Sequence, residues 1–176
     1  MKIAQAGSHL DHMLRQTRMH HVQLSLMADL KANALMTISA VMITFSAPFV
    51  ARAQFKWAVI VLMCFCLVTI VLATFAVMPR IPFCRKKVTR EDCRQPSFNI
   101  LFFGSFFGMD YADYEAAMEE VMNDPSKTYE AAVREIYTFG TFLACKKYRF
   151  LQFAYMAFAT GLFASGATLL FSSLQK

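Results

Sequence analysis

Three long stretches of this chain carry no charged residue: Ala34 to Val50, Trp57 to Met78 and Phe150 to Phe171. They are 17, 22 and 22 residues long and are closed off by Lys31, Arg52, Lys56, Arg80 and Arg149. A bilayer core about 30 Å thick takes about 20 apolar residues at 1.5 Å each. The second and third stretches meet that length. The first meets it when Lys31 and Arg52 extend their charged ends back to the interface. Only helices and closed barrels satisfy their backbone in lipid, and runs of this length fit helices. The reading is an all-α fold, an integral membrane helical bundle with three spans, its helices extending into a small cytoplasmic helical region. Only 17% of the 176 residues are charged and 57% are hydrophobic, against about 25% charged in soluble domains.

The domain reading is a cytoplasmic N-terminal helix over 1–31 and a transmembrane hairpin over 32–79, with spans 34–50 and 57–78. Then come a cytoplasmic segment 80–149, a third span over 150–172 and a tail 173–176. Ala51-Arg52-Ala53 has the A-x-A pattern of a signal cleavage site. Some thirty residues precede the first apolar run, far more than a secretory n-region, so that run is read as a retained span.

Orientation follows from the basic residues. Fifteen lie in the N-terminal and middle segments, against three in the 52–56 connection and the tail. The positive-inside bias puts the N-terminus and the middle in the cytoplasm and the C-terminus in the periplasm of a bacterial inner membrane. Most of the +6 charge is then a membrane-flanking effect, which argues against a nucleic-acid partner.

Within the cytoplasmic segments, residues 8–31 read as a helix running into the first span. Leu10, Met13, Leu14, Leu24 and Ala28 lie on one face, interrupted by Thr17 and His21. Met78-Pro79-Arg80 stops the second span. Arg80 to Gln95 is a basic loop, read as a lipid-headgroup contact or an anion pocket. Phe98 to Met109 is apolar but too short to cross, and reads as re-entrant, interfacial or buried core. Asp110 caps one helix, and Asp124-Pro125 starts another. That second helix is expected to run from about Ser126 through the membrane to about Phe171. Its apolar face is Tyr129, Ala132, Val133, Ile136, Tyr137, Gly140 and Leu143, with Glu130 and Arg134 an i, i+4 pair. Lys146, Lys147, Tyr148 and Arg149 mark where it meets the lipid. Ala157, Gly161 and Ser165 form a small-residue face for close helix packing, within the bundle or between protomers. Met and Phe, 12 and 18 of them against one Trp, give deformable packing surfaces.

Site chemistry is sparse. The five cysteines form no C-x-x-C. His9, His12, His20 and His21 lack a carboxylate or cysteine that would complete a metal set, so no metal and no cofactor is expected. No Walker loop, G-x-G-x-x-G, G-x-S-x-G, H-E-x-x-H or kinase set occurs, and an enzyme is not expected. No span carries an internal charge, which argues against an ion pathway lined by charge.

Several short motifs occur together in order. They are Ala28-Asp29-Leu30-Lys31-Ala32 opening the first span and Met78-Pro79-Arg80 closing the second. Asn99-Ile100-Leu101-Phe102-Phe103-Gly104 follows, then an acidic Tyr-containing helix, then Ile136-Tyr137 and Lys147-Tyr148-Arg149. In this order, over about residues 25–172, the chain resembles the Pycsar effector transmembrane family. The resemblance implies a membrane effector of bacterial anti-phage defence. Such an effector is triggered by a cyclic pyrimidine mononucleotide, cyclic CMP or cyclic UMP, made by a partner pyrimidine nucleotide cyclase. It assembles or opens in the lipid bilayer, as a homo-oligomer, and impairs the inner membrane, causing abortive infection. The chain has no recognisable cyclic-nucleotide-binding β-barrel, so sensing falls to the helical cytoplasmic part or to a partner. Arg134, Lys147 and Arg149 are the expected sensing or gating cations, Tyr111 and Tyr137 candidate stacking partners for the base, and Asp29 with Lys31 the second choice. The alternative is a constitutive membrane scaffold or subunit anchoring a cytoplasmic partner.

Overall fold

The computed structural model describes residues 7–78, 88–89, 91–95 and 98–174, of which Arg94 is described by its backbone alone. The basic residues Arg80, Arg85, Lys86, Lys87 and Arg90 of the loop, and Cys84, lie outside the described residues.

Among the described residues every regular element is helical. Helix α1 runs Ser8–Ser46, and with no proline before Pro48 nothing breaks its ladder. Pro48 then falls in a 3₁₀ turn, Ala47–Ala51, so the last residues of the first apolar run are not α-helical. The chain reverses through Arg52, whose carbonyl accepts from the Phe55 and Lys56 amides at 3.0 and 3.1 Å. Helix α2 is Lys56–Val77. Met78 leaves the helical region at ψ 124°, as the residue before a proline must.

A short helix α3, Phe103–Phe106, follows an irregular stretch. Helix α4 is Tyr111–Met122 and α5 is Pro125–Phe142. Asp124 accepts the Ser126 amide at 2.9 Å, the expected cap. Asp110 occupies the cap position of α4 in extended conformation, but its side chain makes no capping hydrogen bond. From α5 the chain continues without a break through a π-helical stretch, Leu143–Tyr148, into α6, Arg149–Leu174. The long helix expected from Ser126 is therefore present, with a change of winding where it was expected to meet lipid. Three helical stretches, Ser8–Ala51, Lys56–Val77 and Pro125–Leu174, are long and apolar enough to cross a membrane.

The chain divides into two compact units, 1–23 with 79–142, and 24–78 with 143–176. The second unit holds the apolar helices. Its core is small-residue packing: Ala28, Ala32 and Leu35 from α1, Ala73 and Ala76 from α2, and Leu151 and Ala154 from α6. Alanines at these positions let backbones approach closely, the mode of packing that works where lipid supplies no hydrophobic drive. Gly161 takes this furthest, since a Cβ there would lie 2.4 Å from the Phe65 Cβ of α2. The face of Ala157, Gly161 and Ser165 thus packs at its centre inside the bundle. Thr69, fully buried, returns its hydroxyl to the Phe65 carbonyl at 2.8 Å, which removes the cost of an orphan polar group in lipid.

In the first unit, Asn99, Ile100, Met109 and Ala117 are buried. The apolar segment 98–109 contributes to the core of this unit, and the Phe106 ring lies 4.8 Å from that of Tyr114 on α4. The first turns of α1 are tied to α5 by polar contacts. Tyr129 donates to Asp11 at 2.7 Å, and Arg18 pairs with Glu135 at 3.1 Å. The half-buried residues of this part of α1 are Leu10, Leu14, Thr17 and His21, a spacing of four and three. His21 therefore belongs to the packed face, its ring 6.2 Å from Phe139, while Met13 is 56% exposed and does not. On α5, Val133 and Tyr137 likewise lie outside the packed face.

Candidate functional site

Two clusters of polar side chains stand out, one in each unit. The first forms where α1 and the π-helical stretch meet in the unit of apolar helices. Lys147 Nζ donates to Asp29 Oδ2 at 2.7 Å, to Ser25 Oγ at 2.8 Å and to the Ser25 carbonyl at 3.3 Å. An ammonium has three protons, and all three are used. The side chains of Lys147 and Asp29 are 13% and 30% exposed, so the pair is largely withdrawn from water. Beside it, Tyr148 donates to the Leu24 carbonyl at 3.0 Å. In a π-helix the bonding widens to i→i+5, which re-aims the side chains; such stretches are rare and concentrate at functional positions. Here the local unwinding coincides with Lys147 and Tyr148, both hydrogen-bonded to α1.

The second cluster borders a cavity of about 290 Å³ in the other unit. Its wall is built from four pieces of chain: Cys93, the segment Phe98–Ile100, α4 through Ala117, Glu120 and Val121, and α5 through Lys127, Glu130, Ala131 and Arg134. Arg134 donates to the Phe98 carbonyl and to Glu130, both at 2.9 Å, and so fixes the segment against α5. Lys127 pairs with Glu120 at 2.7 Å across the α4–α5 connection. Asn99 is 2% exposed, and its Oδ1 accepts the Leu101 amide at 3.0 Å. That bond orients the amide and leaves Nδ2 a buried donor without a partner among the described residues.

The residues singled out from the sequence divide between these places. Asp29 and Lys147 come together directly. Arg149 lies two residues further along, its guanidinium 5.9 Å from the Phe153 ring centre, and Lys31 is exposed. Arg134 borders the cavity in the other unit. Tyr111 and Tyr137 are 75% and 74% exposed and border neither cluster. Asn99 was named only as the first residue of the Asn99–Gly104 motif, not as a site residue, and Lys127 and Ser25 were not singled out. Asn99 had a further signal, a polar residue heading the apolar run Ile100–Phe103; Ser25 had none. Among the described residues no three His, Cys, Asp or Glu side chains gather around a common point for a metal ion.

No curated protein and no solved structure matches the chain. A family model does, that of the Pycsar effector protein domain, and it covers residues 12–172, which takes in all three apolar helices and both polar clusters. A match over nearly the whole chain decides membership: this chain belongs to the Pycsar effector family, a membrane-associated effector of anti-phage defence.

Proposed function

We propose that the chain is the membrane-impairing effector of a nucleotide-signalled defence system, triggered by cyclic CMP or cyclic UMP from a partner cyclase. The observation that carries this reading is the family match over 12–172 on a chain with three helices long enough to cross a bilayer. On this reading the three helices cross the bacterial inner membrane with the N-terminus inside and the C-terminus in the periplasm. The charge asymmetry of the sequence supports that orientation.

The trigger acts through the helices shared by both units. Helix α1 belongs to one unit up to Gln23 and to the other from Leu24, and the α5–α6 helix changes unit at Leu143. A rearrangement among the cytoplasmic helices therefore has a covalent path into the apolar ones. Arg134 serves sensing, while Lys147 and Arg149, with Asp29, serve gating. The active form is a homo-oligomer in the bilayer, and the chain needs no cofactor and catalyses no reaction.

The energetics allow it. Moving an equilibrium from 1:99 to 99:1 takes about 5.5 kcal/mol of preference for the active state. Two or three charge-assisted contacts at about 1.5–3 kcal/mol each reach that.

The test supplies each of the four cyclic mononucleotides to cells expressing the chain while membrane potential is followed. Collapse of the potential with a pyrimidine nucleotide and not with cyclic AMP or cyclic GMP is the expected result. An unchanged potential with all four rejects the effector reading in favour of a constitutive scaffold.

A further inference from the structure

The cavity beside Arg134 has the size, the polar groups and the apolar floor of a small nucleotide site. We infer that it receives the 3′,5′-cyclic pyrimidine mononucleotide; this assignment rests on the proposed trigger and names where that trigger binds.

Size comes first. Ligand cavities run from about 300 to 1,000 Å³. At about 290 Å³ this one lies just below that range, room for a small ligand. Its floor is apolar, from Phe98, Ile100, Ala117 and Val121, and gives the flat pyrimidine ring a surface to lie on.

The charged groups that line the cavity are of both signs. Arg134 and Lys127 are cations that border the cavity, and each is held by a glutamate, Glu130 and Glu120. A cyclic nucleotide carries both complements. Its phosphodiester has one negative charge and only acceptor oxygens, which suit the guanidinium and the ammonium. Its ribose 2′-hydroxyl donates, which suits a carboxylate. Binding thus exchanges partners within two existing ion pairs, and no unpaired charge has to be buried before the ligand arrives. Asn99 is one of the lining residues, and among the described residues its buried Nδ2 lacks an acceptor. Both cytosine and uracil carry a ring carbonyl oxygen at position 2 that supplies one where a bound ring opens access to that amide.

The same geometry explains how occupancy is felt. Arg134 holds the Phe98 carbonyl, and the wall includes α4, α5 and the 98–100 segment. A phosphate that draws Arg134 away from Phe98 and Glu130 alters the docking of that segment on α5, the helix that continues into α6.

The experiment measures equilibrium binding of cyclic UMP and cyclic CMP to the full chain in detergent, with hydrogen exchange read on the same samples. Expected are tighter binding of the pyrimidine nucleotides than of cyclic AMP and slowed exchange confined to residues 98–101 and 117–134. Arg134→Gln and the cavity-filling Ala131→Phe should each weaken binding at least tenfold, with helical content checked by circular dichroism. The wild-type exchange map decides the matter if either variant fails to fold. Protection elsewhere, such as over 143–149, or folded variants within twofold of wild type, overturns the site and leaves the trigger standing. So does a chain that responds to the nucleotide in cells but binds none when purified. Wild-type cells indifferent to every nucleotide overturn the trigger itself, and the site with it.

Discussion

Lys147 and Asp29 face each other at 2.7 Å, one from a π-helical stretch and the other from the middle of a long α-helix, 118 residues apart in sequence. Both Ser25 oxygens complete the ammonium's shell. Tyr148 adds a second polar link from the same stretch to α1, donating to the Leu24 carbonyl. Removing one partner leaves the other charge largely desolvated. For fully buried pairs that costs about 3–5 kcal/mol; the residual exposure here brings the expectation to about 2–3 kcal/mol. Lys147→Met and Asp29→Asn should each lower the thermal midpoint in detergent. The double variant should lie above the sum of the singles, because it strands no charge. Additive losses would mean that the two groups do not interact.

Two glycines of α6 offer a contrast within one helix. A methyl at Gly161 would meet the Phe65 Cβ at 2.4 Å, while at Gly166 it would meet none of the described residues within 4 Å. Gly161→Ala must push α6 off α2 or distort Phe65, at about 1–3 kcal/mol. Gly166→Ala gains up to about 1 kcal/mol of helix propensity. The thermal midpoints of the two variants should therefore move in opposite directions. A drop of equal size in both would show that the close approach to Phe65 is not what Gly161 provides.

How much of this was legible in the sequence depends on the range of the interaction. The spans were, because charge is excluded from lipid over about 20 residues at a stretch, and Lys31, Arg52, Lys56 and Arg149 mark the limits. Asp124-Pro125 was too, since cap and proline act within one turn and the Ser126 amide needs an acceptor there. The face of α1 was read only in part. His21 looked like an interruption because a ring nitrogen is polar, yet its ring carbons pack on Phe139. Tyr137 looked apolar by period but points away from the packed face. The π-helical stretch has no composition of its own; it runs from Leu143, buried at 3% exposure, to Lys147 and Tyr148, whose hydrogen-bond partners lie at least 118 residues away. Arg134 was picked for its charge and position. What it holds, the Phe98 carbonyl, is a backbone group 36 residues away that no side-chain pattern announces.

Tyr129 titrates above the ordinary tyrosine range, first because its hydroxyl donates to the Asp11 carboxylate, and then through desolvation and the nearby negative charge. Ionising the phenol removes the donor and sets two negative charges side by side. A raised folded-state value means that the contact contributes fully below the usual tyrosine pKa, about 10. Its contribution is lost as pH climbs from there through the higher folded value. The tyrosinate absorbance of the folded chain should lose a late-ionising component in Tyr129→Phe. The stability difference between wild type and Tyr129→Phe should be constant through neutral pH and shrink in alkali. An alkaline titration of Tyr129→Phe that keeps every late-ionising component of the wild type would assign the shift to another residue.

Orientation is open to a direct chemical test. Fifteen basic residues in the N-terminal and middle segments against three in the 52–56 connection and the tail is an imbalance that insertion machinery reads as cytoplasmic for the richer side. Ala53, between α1 and α2, and Tyr111, at the start of α4, are both exposed and lie on opposite sides of α2 in sequence. In a chain whose five native cysteines are replaced, Ala53→Cys should react with a membrane-impermeant maleimide added to cells with a permeabilised outer membrane. Tyr111→Cys should react only once the inner membrane is opened. The same pattern should hold before any nucleotide is supplied, since the topology is set at insertion and the trigger acts on a chain already in place. The reverse pattern would put the cavity beside Arg134 in the periplasm, out of reach of a nucleotide made in the cytoplasm.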